Sequence, residues 1–182
     1  MRDSMIFITG GCRSGKSRYA LDYADSHFSK RVYLATAEVL DKEMARRIQL
    51  HKNARGPQWQ TLEEPIQVVD TVIRIGHEVE VILLDCLTLW LSNLLLKWND
   101  ESKITCEVDR LIATFRQSQA TLIVVTNEVG MGIVPDDPLG RRFRDLAGSI
   151  NQRMAAVADQ VVFMVSGIPI FLRGKRQTEG GK

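Results

Sequence analysis

The sequence predicts an α/β protein, an open and mostly parallel sheet with helices on both faces. Three observations carry that expectation. Short, continuous apolar runs rich in β-branched residues recur along the chain, as suits strands buried on both faces. The runs alternate with helix-like segments in a βαβα rhythm, which builds a parallel sheet flanked by helices. A glycine-rich loop, within ITGGCRSGKS (8–17), stands between the first run and the first helix.

The elements follow in order. MIFIT (5–9) is the first strand, and a helix is expected from Lys16 to His27. RVYLAT (31–36) is the next strand, followed by a helix from Asp41 to Lys52. No element is assigned between that helix and VILLD (81–85). The stretch VILLDCLTLWLSNLLLKW (81–98) is the most apolar of the chain. Asp85 near its start, with Ser92 and Asn93 further on, makes it strand, turn and buried helix rather than a membrane span, since an intramembrane Asp is costly. Ile104, Val108, Leu111, Ile112 and Phe115 fall on one helical stripe, ahead of the strand TLIVVT (121–126). Pro138 opens a helix expected over Leu139 to Ala158. VVFMV (161–165) and PIFL (169–172) close a single domain over residues 1–172, and the polar RGKRQTEGGK (173–182) is expected to be a disordered tail.

Bulk properties narrow the function classes. The 182 residues are 45% apolar and 25% charged, enough for one sizeable core. A net charge of +2 gives no field for a polyanion, so no nucleic-acid partner is expected. Cys12, Cys86 and Cys106 have no CxxC spacing, which argues against a disulfide framework or a zinc site and for a reducing cytoplasm. MRDSMIFITGG, an apolar run broken at once by glycines, does not read as a signal peptide.

The loop satisfies G-x-x-x-x-G-K-S/T through Gly10, Gly15, Lys16 and Ser17. The glycines permit a tight turn whose N–H groups face phosphate oxygens. The helix opening near Lys16 points its positive end at the same place. Lys16 reaches the β- and γ-phosphates, and the Ser17 hydroxyl ligates Mg²⁺. A carboxylate at the end of a neighbouring strand is wanted for the ion's water shell, and Asp85 fits. Asp85 as a helix N-cap is the competing, compatible reading. Arg13 either contacts phosphate or is an idle loop arginine. The loop narrows the fold class to a P-loop NTPase type, RecA-like.

A second constellation lies in RRIQLHKNARGPQWQTLEEP (46–65). His51 stands among Arg46, Arg47, Lys52 and Arg55. It is either a spectator on a solvated basic face or a nucleophile that attacks phosphorus and forms a phosphoramidate. Neighbouring cations disfavour imidazolium and hold it neutral near pH 7. His27 is explained by its helix end and His77 by a polar turn. In VTNEVGMGIVP (125–135), Asn127 and Glu128 end a strand where ligands sit in open α/β sheets; an ordinary connection is the alternative. Arg141, Arg142 and Arg144 either meet a phosphate across a subunit interface or form a solvated helix face.

The blocks ITGGCRSGKS, RIQLHKNARGPQWQTLEEP, LLDCLTLWLSNLL, VTNEVGMGIVP and RRFRDLAGSINQRMAAVADQV together resemble one family, over residues 6–168. It is the bifunctional adenosylcobinamide kinase / adenosylcobinamide-phosphate guanylyltransferase family of cobalamin biosynthesis. The resemblance implies phosphorylation of adenosylcobinamide, then transfer of GMP from GTP to that phosphate through a histidine–GMP intermediate on His51. It implies nucleotide contacts at Gly10, Gly11, Cys12, Arg13, Ser14, Gly15, Lys16 and Ser17, at Ala35, Thr36 and Ala37, at Lys52, Asn53, Ala54 and Arg55, and at Glu63 and Asp85. It implies GTP and ATP as substrates with Mg²⁺ at Ser17 and Asp85, a P-loop α/β fold, and a homotrimer with active sites near subunit interfaces. Cys12 departs from the small residue, often alanine, of the family, and Leu50 precedes His51 where some members have a second histidine. Two other readings stand beside it: a P-loop small-molecule kinase without the nucleotidyl step, and a nucleotide-dependent regulatory switch.

Overall fold

The computed structural model describes residues 4–38 and 56–174. Within them the chain runs β1 (Met5–Gly10), α1 (Lys16–His27), β2 (Arg31–Ala35), β3 (Trp59–Glu63), α2 (Val68–Ile75), β4 (Val81–Asp85), α3 (Leu87–Trp98), α4 (Glu101–Gln117), β5 (Thr121–Val125), α5 (Pro138–Val157), β6 (Gln160–Val165) and β7 (Ile168–Arg173). The helix expected from Asp41 to Lys52 lies outside the described residues, as does the expected tail from residue 175 onward; Arg173, expected in that tail, instead ends β7 and donates to carbonyls at the end of α5.

Successive side chains of a strand leave opposite faces of the sheet, and here both faces are apolar. Met5, Phe7, Val32, Leu34, Ile82, Leu84, Leu122 and Val124 point to one side and are buried under α2, α3, α4 and α5. Ile6, Ile8, Tyr33, Leu83, Ile123, Val125 and Val162 point to the other, against Ala20 and Ala24 of α1. The strands therefore read as continuous apolar runs, as the sequence indicated. The sheet has seven strands in the order β3-β2-β4-β5-β1-β6-β7. All neighbours are parallel except β6 and β7, which form a closing antiparallel hairpin.

Local chemistry sets the helix ends. Asp137 accepts a hydrogen bond from the Gly140 N–H at 2.6 Å while Pro138 takes the first helical position of α5, where its missing donor costs nothing. Asp100 caps α4 in the same way through the Lys103 N–H. On α4 the apolar stripe is buried as its spacing predicts, through Ile104, Val108, Leu111 and Phe115, with Ile112 packed at its margin. At 12 residues, α3 is buried protein core. No helix of the described residues is long and apolar enough to cross a membrane.

Two elements were not legible in the sequence. In β3 only Trp59 is buried, because this edge strand pairs on one side only, with β2. The segment VVDTVIRI is a helix, α2, although six of its eight residues are Val, Ile or Thr. Such residues lower helix propensity, yet burial of Val68, Val69, Val72 and Ile75 against the sheet decides the outcome.

A nucleotide site on the carboxyl rim of the sheet

Strand register lines up the site. Ala35 lies opposite both Glu63 and Asp85, Asp85 opposite Val125, and Val125 opposite Ile8. The carboxyl ends of five adjacent strands thus share one rim, where open α/β sheets bind ligands. The phosphate loop rises from the end of β1.

Gly10 and Gly15 are glycines for different reasons. A Cβ on Gly10, at φ 151°, would stand 2.5 Å from the Met164 carbonyl oxygen. Gly15 caps α1 in the left-handed region at φ 94°, and a Cβ there would come within 3.2 Å of Gly167 Cα. Those contacts expose a buttress that the sequence reading missed. The β6–β7 turn is Ser166-Gly167, with φ 51° and 83°, and the Gly167 N–H donates to the Ser14 carbonyl at 3.0 Å. Two apolar runs separated by Ser-Gly are a hairpin signal, but their docking under the loop is a tertiary fact. Cys12 and Arg13 are exposed on the loop, Arg13 at φ 55°.

Lys16 is buried, and its Nζ donates to the Gly11 carbonyl at 2.6 Å. Burial holds its ammonium below the ordinary lysine range, while the charges of Cys86, Asp85 and Cys12 pull the other way. Burial and the Asp85 charge push the Cys86 thiol up to about 12, so it is neutral near pH 7. Asp85 therefore supplies the counter-charge from this buried neighbourhood. The carboxylate itself ends β4, half-buried, and its Oδ2 accepts from the Tyr33 hydroxyl at 2.7 Å. It is not the N-cap of the following helix: Cys86 holds that position, with no side-chain cap bond.

A pH dependence follows. If Lys16 holds phosphate as its ammonium, binding is expected to be lost as pH rises through its pKa. Asp85→Asn removes an anion that raises this pKa, and the loss moves to lower pH. Nucleotide titrations of the two proteins in metal-free buffer from pH 7 to 10 measure that displacement; superimposable alkaline limbs would show that Asp85 does not support Lys16.

The remaining rim residues divide into ligand-facing and supporting groups. Thr36 is fully buried, and its hydroxyl both donates to the Cys86 carbonyl at 2.8 Å and accepts from the Cys86 N–H at 2.9 Å. Its side chain thereby clamps β2 to β4. Glu63 is exposed at the end of β3. Asn93 ties this corner together, donating from Nδ2 to the Thr36 carbonyl at 2.8 Å and the Pro65 carbonyl at 3.1 Å. His51, Lys52, Asn53, Ala54 and Arg55 lie outside the described residues.

A buried polar network was also missed. The Thr88 and Thr126 hydroxyls lie 3.0 Å apart, Thr126 reaches Asn151 Oδ1 at 3.0 Å, and Asn151 donates to the Asn127 carbonyl at 3.2 Å. It fixes the chain just after β5, and the Glu128 N–H donates to the Gly10 carbonyl at 3.0 Å. Arg141, Arg142 and Arg144, three of the four arginines of α5, are internal struts. Arg141 donates to the Pro135 and Asp136 carbonyls, Arg142 pairs with Glu101 and Asn99, and Arg144 donates to the Gly130 carbonyl. Each is a polar residue in a helical run, so spacing alone could not distinguish strut from ligand.

A glycine loop and lysine between a central β1 and α1, with an acidic strand end two strands away, define a P-loop nucleotide-binding protein of the RecA-like kind. Solved structures agree. The P4 protein from bacteriophage phi6, in complex with ADP, matches with a TM-score of 0.52 at 12% identity, over 93% of this chain and 55% of that one. An ATPase from a bacterial type III secretion system matches with a TM-score of 0.54 at 9% identity, over 87% of this chain and 51% of that one. The chain spans about half the length of each, and at such identities the likeness shows the fold alone. The family is shown by sequence: residues 6–172 match the cobinamide kinase / cobinamide phosphate guanyltransferase model, and the chain belongs to that family of bifunctional enzymes. The bifunctional adenosylcobalamin biosynthesis proteins CobU of Escherichia coli K12 and Salmonella typhimurium LT2 are 41% and 43% identical to it, each over 93% of this chain and 99% of the relative. The corresponding CobP of Pseudomonas aeruginosa is 41% identical over 96% of this chain and 99% of its own.

Proposed function

We propose that this protein phosphorylates the hydroxyl of adenosylcobinamide with a nucleoside triphosphate, then transfers GMP from GTP to the new phosphate with release of pyrophosphate. The observation that carries this reading is the convergence of the phosphate loop, Lys16 and Asp85 on one rim in a chain of this family.

The loop amides and Lys16 position the triphosphate and offset its charge, which is most of what phosphoryl transfer asks of a protein. Ser17 and Asp85 suit Mg²⁺, a hard cation that keeps waters and phosphate oxygens and needs few protein ligands. Mg²⁺, when bound, offsets charge building on the β- and γ-phosphates.

For the second reaction the neutral His51 imidazole attacks the α-phosphorus of GTP and pyrophosphate leaves. The substrate phosphate then displaces histidine from the phosphoramidate, giving adenosylcobinamide-GDP. GTP labelled at the α-phosphate tests this directly. The protein is expected to carry acid-labile, alkali-stable label that His51→Ala abolishes. An active wild-type protein that never acquires label would leave only the kinase.

The assembly is a homotrimer. Apolar side chains exposed on β7 (Ile168, Ile170, Leu172) and on the loop after β5 (Met131, Ile133, Val134) offer surface for it. Light scattering of the purified protein reads the mass, and a monomer in the active enzyme would contradict this part.

A further inference from the structure

The two proposed reactions differ in one chemical demand. The acceptor of the first is an alcohol, which keeps its proton near neutral pH. The acceptor of the second is a phosphate, already anionic. The first reaction therefore gains from a base and the second does not.

Five carboxylates stand on or beside the described rim: Glu38, Glu63, Glu64, Asp85 and Glu128. Strand order separates them. Neighbouring strands lie about 4.8 Å apart, so positions after β2 and β3 are roughly 14 and 19 Å across the sheet from the phosphate-loop strand. That distance disfavours Glu38 and Glu63. Glu64 is spent on structure, its Oε1 accepting from the Ile66 and Gln67 N–H groups at 3.0 and 2.7 Å. Asp85 has the ion to serve and accepts from Tyr33. Glu128 follows β5, which lies directly beside β1, and its own N–H is bonded to the Gly10 carbonyl at the root of the phosphate loop.

The setting of Glu128 is firm. One carboxylate oxygen, Oε1, accepts from the Gly130 N–H at 2.8 Å, and a Cβ on Gly130 would stand 2.9 Å from it. Arg144 Nη2 holds the Gly130 carbonyl at 2.5 Å, and the Asn127 N–H donates to Thr88 Oγ1 at 2.7 Å. A half-buried carboxylate on so fixed a platform meets the requirement for a positioned proton acceptor. Its second oxygen has no hydrogen-bond partner among the described residues.

We infer that Glu128 is the catalytic base of the phosphorylation step, a role that rests on the kinase reading above. The acceptor oxygen forms its bond to the γ-phosphorus while the bond from that phosphorus to the β-phosphate oxygen breaks. The diphosphate leaves with the electron pair, the hydroxyl proton passes to the Glu128 carboxylate, and solvent later takes it.

Glu128→Gln is the test, because glutamine keeps the size and can still accept from the Gly130 N–H. Three quantities are measured in the full-length enzyme: phosphate transfer to adenosylcobinamide, GMP transfer to adenosylcobinamide phosphate supplied ready-made, and nucleotide affinity. The first is expected to fall about 10²- to 10⁴-fold, the usual contribution of a positioned base. The other two are expected to stay within about 3-fold, since neither needs that base. A phosphorylation rate within about 10-fold of wild type overturns the role of Glu128 and leaves the kinase reading standing. A parallel fall of all three also overturns it, assigning Glu128 to loop structure. A wild-type protein that transfers GMP yet never phosphorylates adenosylcobinamide overturns the kinase reading and the base together.

Discussion

Lys16→Ala is expected to remove both nucleotide-dependent reactions while leaving the fold intact. The ammonium lies buried in the phosphate loop, bonded to the Gly11 carbonyl. A bound triphosphate replaces that carbonyl with phosphate oxygens and strengthens the interaction, since both partners are then charged. Loss of a preorganised donor at a reacting phosphate costs on the order of 10²- to 10³-fold in rate, with weaker binding added. Stability moves little, because burial already disfavours the charged lysine and alanine relieves that cost. The Gly11 carbonyl is not stranded, for Gly11 is exposed to water. Lys16→Arg is not expected to rescue, because a planar guanidinium does not fit a site shaped for a compact ammonium. Calorimetric titration of nucleotide and separate assays of the two transfers measure the effect. One loop is proposed to hold the triphosphate for both, so a variant that lost phosphorylation but kept GMP transfer would require a second triphosphate site and contradict the shared cradle.

What the sequence made legible follows from where the physics is local. The phosphate loop needs glycine at φ 151° and 94°, a lysine and a hydroxyl at set spacing, and those demands are written in ten consecutive residues. The central strands are buried on both faces, so their apolar runs are unbroken and easily read. Asp137-Pro138 announces α5 because capping is a short-range effect. The misses are positions where tertiary context prevails. Only burial turns the β-branched α2 into a helix, and β3 is too polar to read as a strand until β2 pairs with it. Thr36, Thr88, Thr126 and Asn151 look like ordinary polar residues in sequence, yet all four are buried and hydrogen-bonded beneath the rim. Their partners lie 24 to 50 residues away, which no local pattern announces.

Trp90→Ala is expected to produce the largest loss of stability of any single side-chain truncation in this core. Trp90 heads the largest fully buried side chains and lies in the cluster between α3 and the sheet. Truncating a buried tryptophan costs roughly 3–5 kcal/mol from lost transfer energy and the cavity left behind. For a domain of this size that is a fall of roughly 6–20 °C in melting temperature. The indole also carries a hydrogen bond, Nε1 to the Ile66 carbonyl at 2.9 Å. Trp90→Phe separates the two contributions: it keeps most of the ring volume but leaves that carbonyl unpaired, a cost of about 1–3 kcal/mol. The bond reaches beyond stability, because Ile66 closes the short connection that begins at Glu63. Asn93 holds the same connection through the Pro65 carbonyl and joins it to Thr36. Glu63 thus depends on α3 for its position on the rim. Trp90→Phe should therefore weaken GTP binding at temperatures well below its melting point, more than a remote core change such as Val108→Ala of similar stability cost. If the two variants bind GTP equally well once matched for stability, the corner carrying Glu63 is set by its pairing with β2 alone.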